Sequence, residues 1–261
     1  MPTVLTDDRT ALVEAARRAL GPVGAFLPVP TTGAPSVEEL RAAARRLERA
    51  GYPAAWTNEV IGKDALVQVA VLLAATERMV FGTGIANIWA RPPQTAQGAA
   101  ALLAQAYPGR LVLGLGGGYP EQAASVGREF GRPLATMRGY LAEMATPAQL
   151  PVPGAPYPRI LGANGPKMLA LAAEAADGAL PAMVAPEFTE EARRLLGPDK
   201  LLVVLVDASA AGDTAAVVAT VRAHLTAGAD HVTVGLPIGA DFGTGVDHLE
   251  QLAPALLTPA G

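Results

Sequence analysis

Short apolar segments alternate with amphipathic segments along the whole chain. Most apolar segments are continuous hydrophobic runs, such as LVLGLG at 111–116, without the polar–apolar alternation of a half-exposed strand. Runs of this kind are typical of parallel strands that are covered on both faces. We therefore predict eight strands, which span 24–29, 54–57, 79–86, 111–116, 160–163, 179–184, 201–206 and 231–236.

A predicted helix follows each strand, and two of these helices carry clear start signals. Ser36 stands before the first of them and Glu39 lies three residues later, which is the capping-box pattern. Pro166 suits the first position of another helix, because an N–H there would have no partner within the helix. The predicted helices cover 36–50, 64–76, 93–107, 134–145, the segment from 166 onward, 187–196, 214–227 and 246–256, and one further helix, 9–20, precedes the first strand.

Eight strand–helix pairs in 261 residues predict a single α/β domain over 1–261. A (β/α)8 TIM barrel accounts for this pattern better than a doubly wound open sheet does. Active sites of such barrels lie at the C-terminal ends of the strands. That rule selects the polar residues that follow a predicted strand, which include Asn58, Glu59, Asn87, Tyr119 and Asn164.

The composition excludes several classes of protein. The chain is 51% hydrophobic, has a formal net charge of -4 and has no basic run, so it offers no electrostatic surface for nucleic acid or anionic lipid. It has no cysteine, which excludes disulfides and thiolate metal sites. The longest apolar run, 65–75, is too short to cross a bilayer, and Asp7 and Asp8 stand where a signal peptide would be basic. We expect a soluble cytoplasmic protein that acts on a small molecule and has no nucleic-acid or membrane partner.

The three histidines do not suggest a metal or catalytic site. His231 opens the last predicted strand at the opposite rim, while His224 and His248 fall on outer helices. We therefore predict no metal site. General acid–base work then falls to Glu59, Tyr119 or Glu121.

Glycines are dense in two neighbouring predicted strands, at Gly82 and Gly84 and again at Gly114 and 116–118. Glycine inside a strand marks a bulge or a close approach of the backbone by a ligand, so a flat ligand against the barrel mouth is one interpretation. The other is that small residues only relieve crowding. Asn87 has two interpretations as well, contact with a ring edge or an Asx turn.

The segment RILGANGPKMLALAAEAADG at 159–178 reads as a strand, a glycine turn and a helix. Gly162 and Gly165 let the backbone approach a ligand, and the free N–H groups at the start of the helix favour a phosphate. An ordinary strand-to-helix connection is the alternative. Lys167 would neutralise a phosphate bound there.

Several stretches of the chain together resemble the bacterial-luciferase-like flavin and deazaflavin oxidoreductases, in particular coenzyme F420-dependent members. Their order and spacing carry the resemblance more than any single one of them. The matching stretches are GPVG at 21–24, RAGYPAAWTNE at 49–59, LLAATERMVFGTGIANIWARPP at 72–93, YPGRLVLGLGGG at 107–118, RPLATMRGYL at 132–141, LGANGPKML at 161–169, AADG at 175–178 and AGADHV at 227–232.

The resemblance implies an enzyme that transfers a hydride between coenzyme F420, or alternatively FMN, and a small organic substrate. It places a non-prolyl cis peptide at Gly84-Ile85 beneath the cofactor ring, and Asn87 against that ring. Asn58 and Glu59 fall near the reacting carbon. The cofactor phosphate falls on the loop formed by Gly162, Ala163, Asn164, Gly165 and Pro166.

Two departures from the family pattern keep a second hypothesis open. Tyr119 stands where many relatives carry an acidic residue or histidine. Only 207–213 connect the seventh strand to its helix, where relatives carry a long helical insertion. The alternative is a cofactor-free or cofactor-poor descendant that binds a metabolite or catalyses a non-redox step.

Two further alternatives concern the reaction class and the assembly. A phosphate-substrate isomerase or aldolase ranks last, because Lys63, Lys167 and Lys200 all lie outside the predicted strand ends. By resemblance we expect a homodimer. The apolar stripe Leu66, Val69, Leu72 and Leu73 serves either that interface or the core.

Overall fold

The computed structural model describes residues 3–147, 150–209 and 214–258, with side chains from residue 8 onward. The described part contains these elements in order: α1 (Thr3–Leu20), β1 (Val23–Phe26), α2 (Val37–Arg49), β2 (Ala54–Thr57), α3 (Ala65–Ala75), β3 (Val80–Thr83), β4 (Ala86–Asn87), α4 (Pro93–Ala106), β5 (Leu111–Gly116), α5 (Pro120–Ser125), α6 (Pro133–Met144), β6 (Arg159–Gly162), α7 (Pro166–Ala175), β7 (Gly178–Leu180), α8 (Pro186–Leu196), β8 (Leu201–Asp207), α9 (Thr214–Thr226), β9 (His231–Gly235) and α10 (Phe242–Leu257).

The strands form one closed parallel barrel. They follow the order β3-β2-β1-β9-β8-β7-β6-β5-β4, and β3 also pairs with β5, which closes the ring. β3 and β4 are two halves of one barrel strand, interrupted at Gly84-Ile85, whose peptide bond is cis. The prediction of a (β/α)8 barrel is confirmed. That the chain from 1 to 261 is one domain stays a prediction.

Most predicted elements are present with ends within a few residues, and the differences have local causes. The Ser36 capping box is formed, and its side chain accepts a hydrogen bond from the N–H of Glu39. The strand predicted over 179–184 ends at Leu180, because Pro181 has no N–H for the ladder and Met183 has a positive φ of 55°. The loop predicted after β5 contains the short helix α5.

Helix α1 closes the N-terminal end of the barrel. Val13, Ala16 and Leu20 are buried in the same cluster as the residues that fill the barrel interior. Arg17 fixes this helix, because its guanidinium donates to the carbonyl of Lys200 at 2.8 Å and lies 3.0 Å from a carboxylate oxygen of Asp230. This helix therefore closes the barrel interior at that end.

The outer helices pack their apolar faces on the barrel. The stripe Leu66, Val69, Leu72 and Leu73 of α3 is almost completely buried in the main hydrophobic core. The core interpretation of this stripe is therefore confirmed, and the homodimer stays a prediction. No helix of the described residues is long and apolar enough to cross a membrane.

A tryptophan and a histidine meet inside the barrel. Trp56 donates its indole N–H to Nε2 of His231 at 3.0 Å, and Nδ1 of His231 lies 2.8 Å from the carbonyl oxygen of Gly21. A Cβ atom on Gly82 would lie 2.2 Å from the Trp56 ring, and one on Gly24 would lie 2.6 Å from Nε2 of His231. Because complete burial disfavours the imidazolium, the pKa of His231 is lowered to about 4.

This buried imidazole predicts acid sensitivity. The unfolded chain binds a proton on His231 below about pH 6.5, whereas the folded chain resists protonation down to about pH 4. The contribution of neutral His231 to the free energy of unfolding is therefore fully present above the unfolded pKa. It is lost as the pH falls below that value, by about 2 kcal/mol between pH 7 and pH 5. Urea unfolding at these two pH values measures the loss, with His231→Gln as the non-titrating control. An equal pH slope in both proteins would contradict the assignment.

Candidate functional site

The loop after β2 is held at the barrel mouth by the buried carboxylate of Glu59. Oε1 accepts the N–H of Ala65 at 2.8 Å, and Oε2 accepts the N–H of Asn87 at 2.6 Å. Both oxygens also accept hydrogen bonds from the guanidinium of Arg91, which itself is almost fully buried. Sequence reasoning selected Glu59 as a general acid or base. The structure places it as a fully bonded ion-pair partner that joins two loops to the start of α3.

Asn87, at the end of β4, combines the two interpretations that its sequence position allowed. Its Oδ1 accepts the N–H of Trp89 at 2.9 Å, which is the Asx turn. Its Nδ2 is buried and has no hydrogen-bond partner within the described residues. A Cβ atom on Gly118 would lie 2.7 Å from this nitrogen, so the glycine leaves it room. A buried donor without a partner is costly and suits a ligand acceptor.

The glycines that are dense in the two neighbouring strands pack against other protein atoms more than the sequence suggested. A Cβ atom on Gly114 would lie 2.0 Å from the carbonyl oxygen of Thr83, and one on Gly84 would lie 2.7 Å from the Phe26 ring. With Gly82 against Trp56, three of these glycines make room for protein atoms. The crowding interpretation is correct for them, and the open space for a flat ligand is narrower than expected.

Ile85 projects over the ends of two neighbouring strands. A Cβ atom on Gly116 would lie 2.5 Å from Cγ1 of Ile85, and one on Gly162 would lie 3.2 Å from Cγ2. Both glycines face the barrel mouth, so the Ile85 side chain lies across it at the ends of β5 and β6. A Cβ atom on Gly117, one residue beyond β5, would meet nothing within 4 Å. The space beside that residue is open.

The predicted phosphate loop has the expected backbone and one unexpected side-chain role. Gly165 is the extended N-cap of α7 and Pro166 is its first residue, so the first-turn N–H groups point out of the helix. Ala163 is buried and donates its N–H to the carbonyl of Leu180 at 3.3 Å. A Cβ atom on Gly165 would meet nothing within 4 Å, so the loop backbone is approachable.

Asn164 has this unexpected side-chain role. Its Nδ2 donates to the carbonyl of Ala182 at 3.0 Å, and its Oδ1 accepts the N–H of Ala182 at 2.9 Å. The side chain therefore extends the pairing of β6 with β7, a structural role in addition to the predicted one. It also holds the segment that carries Met183, whose side chain is exposed.

Tyr119 and Asn58, which were also proposed for catalysis, differ in their environment. The side chain of Tyr119 is 72% exposed, at the N-cap of α5. Asn58 is half-buried, and its Oδ1 accepts a hydrogen bond from Nζ of Lys63 at 2.9 Å. Lys63 thus reaches the end of β2, and the placement of all lysines outside strand ends is wrong for this one. Gly62, directly before Lys63 in the sequence, is the signal that points to this contact.

Lys63 is brought back to the strand end by a tight turn. Its N–H donates to the carbonyl of Val60 at 2.9 Å, and Gly62 adopts a φ of +96°. A positive φ at the third residue is the requirement of a type II turn, and glycine meets it without steric cost. Burial lowers the pKa of Lys63 because it disfavours the ammonium, although the Glu59 carboxylate works against this shift.

The cavities that border the described residues include five of about 210 to 770 Å³. The smallest, about 210 Å³, is lined by Glu59, Lys63 and Arg91 together with neighbouring residues. β8 ends at Asp207 and α9 begins at Thr214, and residues 210–213 of this short connection lie outside the described part.

Comparison with known proteins assigns this chain to one family. A sequence model described as luciferase-like monooxygenase matches residues 22–229, which is most of the chain. The chain is 34% identical over 180 residues to the Mycobacterium tuberculosis protein named "Putative coenzyme F420-dependent oxidoreductase Rv3520c", which covers 57% of this chain and 51% of that protein. It is 31% identical over 155 residues to the 5,10-methylenetetrahydromethanopterin reductase of Methanolobus tindarius, covering 52% and 48%. The chain thus spans about half the length of these curated relatives.

Solved structures share the fold. An F420-dependent secondary alcohol dehydrogenase in complex with an F420-acetone adduct has a TM-score of 0.69 at 16% identity, covering 90% of this chain and 99% of that one. The coenzyme F420-dependent tetrahydromethanopterin reductase from Methanopyrus kandleri has a TM-score of 0.68 at 17% identity, covering 91% and 100%. At these identities the likeness shows the barrel architecture alone. Because the family model matches most of this chain, the chain belongs to the luciferase-like monooxygenase family.

Proposed function

We propose that the chain is an oxidoreductase that holds coenzyme F420 at the barrel mouth and acts on a small organic substrate. The observation that carries this proposal is the buried Nδ2 of Asn87, which has no partner within the described residues and lies beside Gly118, one residue beyond the open space at Gly117. The name of the Mycobacterium tuberculosis relative, a coenzyme F420-dependent oxidoreductase, supports F420 over other cofactors.

The residues of the mouth fit such a cofactor in two places. Ile85 provides an apolar surface and Asn87 a free amide donor for the ring. The segment 162–166 provides an approachable backbone and the positive end of α7 for the phosphate. When bound, the deazaflavin donates or accepts a hydride. The chain supplies binding, orientation and the exclusion of water.

Glu59 acts in this proposal as a positioning residue. Its carboxylate binds the backbone N–H of Asn87, so it sets where the free amide of that side chain points. All four acceptor positions of Glu59 are occupied, which leaves Tyr119 and Glu121, both exposed, for the proposed proton transfer, assisted by Asn58.

The second hypothesis has its own observation. The connection between β8 and α9 is short, so this part of the chain adds little to the side of the barrel mouth. An open mouth of this kind also suits a cofactor-poor descendant that binds a metabolite. FMN is the alternative cofactor on the same groups.

Titration with each cofactor separates these hypotheses. We expect F420 to bind with a saturable change in its absorbance or fluorescence, and FMN to bind more weakly. Saturable binding of FMN alone would replace F420 in the proposal. Failure of both cofactors to bind a folded protein would favour the cofactor-poor descendant.

The predicted phosphate loop, 162–166, is testable by the addition of one methyl group. Gly165→Ala adds a Cβ into open space at a φ of -160°, so the fold tolerates it while the methyl group hinders close approach of an anion. We expect F420 affinity to fall about tenfold or more with an unchanged melting temperature. Gly98→Ala, whose Cβ also enters open space on α4, is the matched control. An unchanged affinity of Gly165→Ala for F420 would show that the 162–166 loop does not bind the phosphate.

The role of Glu59 predicts a stability effect. Glu59→Gln leaves the buried guanidinium of Arg91 with only Asp64 as its counter-ion, at 3.1 Å. We expect a loss of about 2 kcal/mol in unfolding free energy, and a smaller further loss on adding Arg91→Gln than that substitution causes alone. Urea unfolding of the double-mutant cycle measures this coupling. Additive losses would show that the pair does not act as a unit.

A further inference from the structure

A half-buried lysine at the barrel mouth has donor capacity that the protein does not use. An ammonium group has three N–H donors. Nζ of Lys63 donates one to Oδ1 of Asn58 at 2.9 Å and one to Oγ1 of Thr57 at 3.4 Å. Both acceptors are neutral oxygens. The third donor has no acceptor within the described residues.

The charge of Lys63 also lacks a direct partner. Among the described residues, no carboxylate oxygen lies within 4.0 Å of its Nζ. Glu59 and Asp64, two acidic side chains that line the same cavity as Lys63, are both bound to Arg91. Asp64 also accepts the N–H groups of Leu66 and Val67 at the start of α3. A half-buried cation without an ion-pair partner is favoured when a ligand brings the opposite charge.

The ammonium is held on the ligand side of the barrel. Ala54 and Trp56 of β2 belong to the cluster that fills the barrel interior, so Asn58 continues the same alternation just beyond the strand end. Thr57 faces outward, where its Oγ1 accepts a hydrogen bond from Gln68 of α3 at 3.1 Å. Lys63 bridges these two residues and therefore lies on the rim of the mouth.

We infer that Lys63 binds the carboxylate of a small acidic ligand, and that the substrate is therefore a carboxylic acid. One free donor suits a monoanionic carboxylate better than a phosphate dianion, which needs more donors. The cavity of about 210 Å³ that Lys63 lines matches the small size of such a group. That this acid is the substrate rests on the proposed function. The acid-binding site itself is inferred from the geometry of Lys63 alone.

The chain offers a direct measurement because it has only three lysines. Protein labelled with 13C at lysine Cε, without added cofactor, is titrated with propionate and separately with its neutral isostere propionamide at constant pH and ionic strength. We expect the Lys63 signal to move saturably with propionate and not with propionamide. Lys200 is the internal control, because it is also half-buried and bonded to a carbonyl, that of Ala176, but lies at the opposite end of the barrel.

Calorimetry of two variants completes the test. Lys63→Met should weaken propionate binding about tenfold or more, while Lys200→Met should leave it unchanged. A Lys63 signal that does not saturate, equal responses to propionate and propionamide, or unchanged binding in Lys63→Met would each overturn the inference. Because no cofactor is present, these outcomes are independent of whether F420 binds. Saturable propionate binding in a protein that fails to bind F420 would keep the acid site and remove the redox proposal.

Discussion

The arrangement of the barrel mouth depends on one buried carboxylate. Glu59 binds peptide N–H groups from the start of α3 and from the end of β4, and its charge is balanced by Arg91. If these donors lost their acceptor, several polar groups would be buried without a partner, which costs more than the bonds themselves contribute. The loops that carry Asn87 and Lys63 therefore have fixed positions relative to one another, although they follow different strands.

The barrel itself was predictable because its causes are local. Continuous apolar runs and helix caps such as Ser36 are read directly from neighbouring residues. Errors at strand ends arose where backbone geometry overrides hydrophobicity. Pro181 and the positive φ of Met183 end β7 within an apolar run that continues to Val184. The plug formed by α1 was not predictable, since its partners, such as Asp230, lie far along the chain.

The site was predictable in position and less so in role. Strand ends indicate which residues reach the mouth, and Asn58, Asn87 and Tyr119 follow this rule. What each side chain does there depends on partners from other loops. Asn164 is bound by Ala182, which no spacing within its own loop indicates. Lys63 reaches a strand end only because of the turn at Gly62, so counting residues from the strand placed it wrongly.

The sealed lower end of the barrel gives the molecule two faces of different character. Arg17 and the buried side chains of α1 occupy the lower face, whereas Asn87, Lys63 and the 162–166 loop all belong to the upper one. A surface tether attached to an exposed position of α1, such as Arg18, would leave from the lower face. Molecules immobilised in this way would present their upper face to the solution, in a uniform orientation suited to surface-based detection of small ligands.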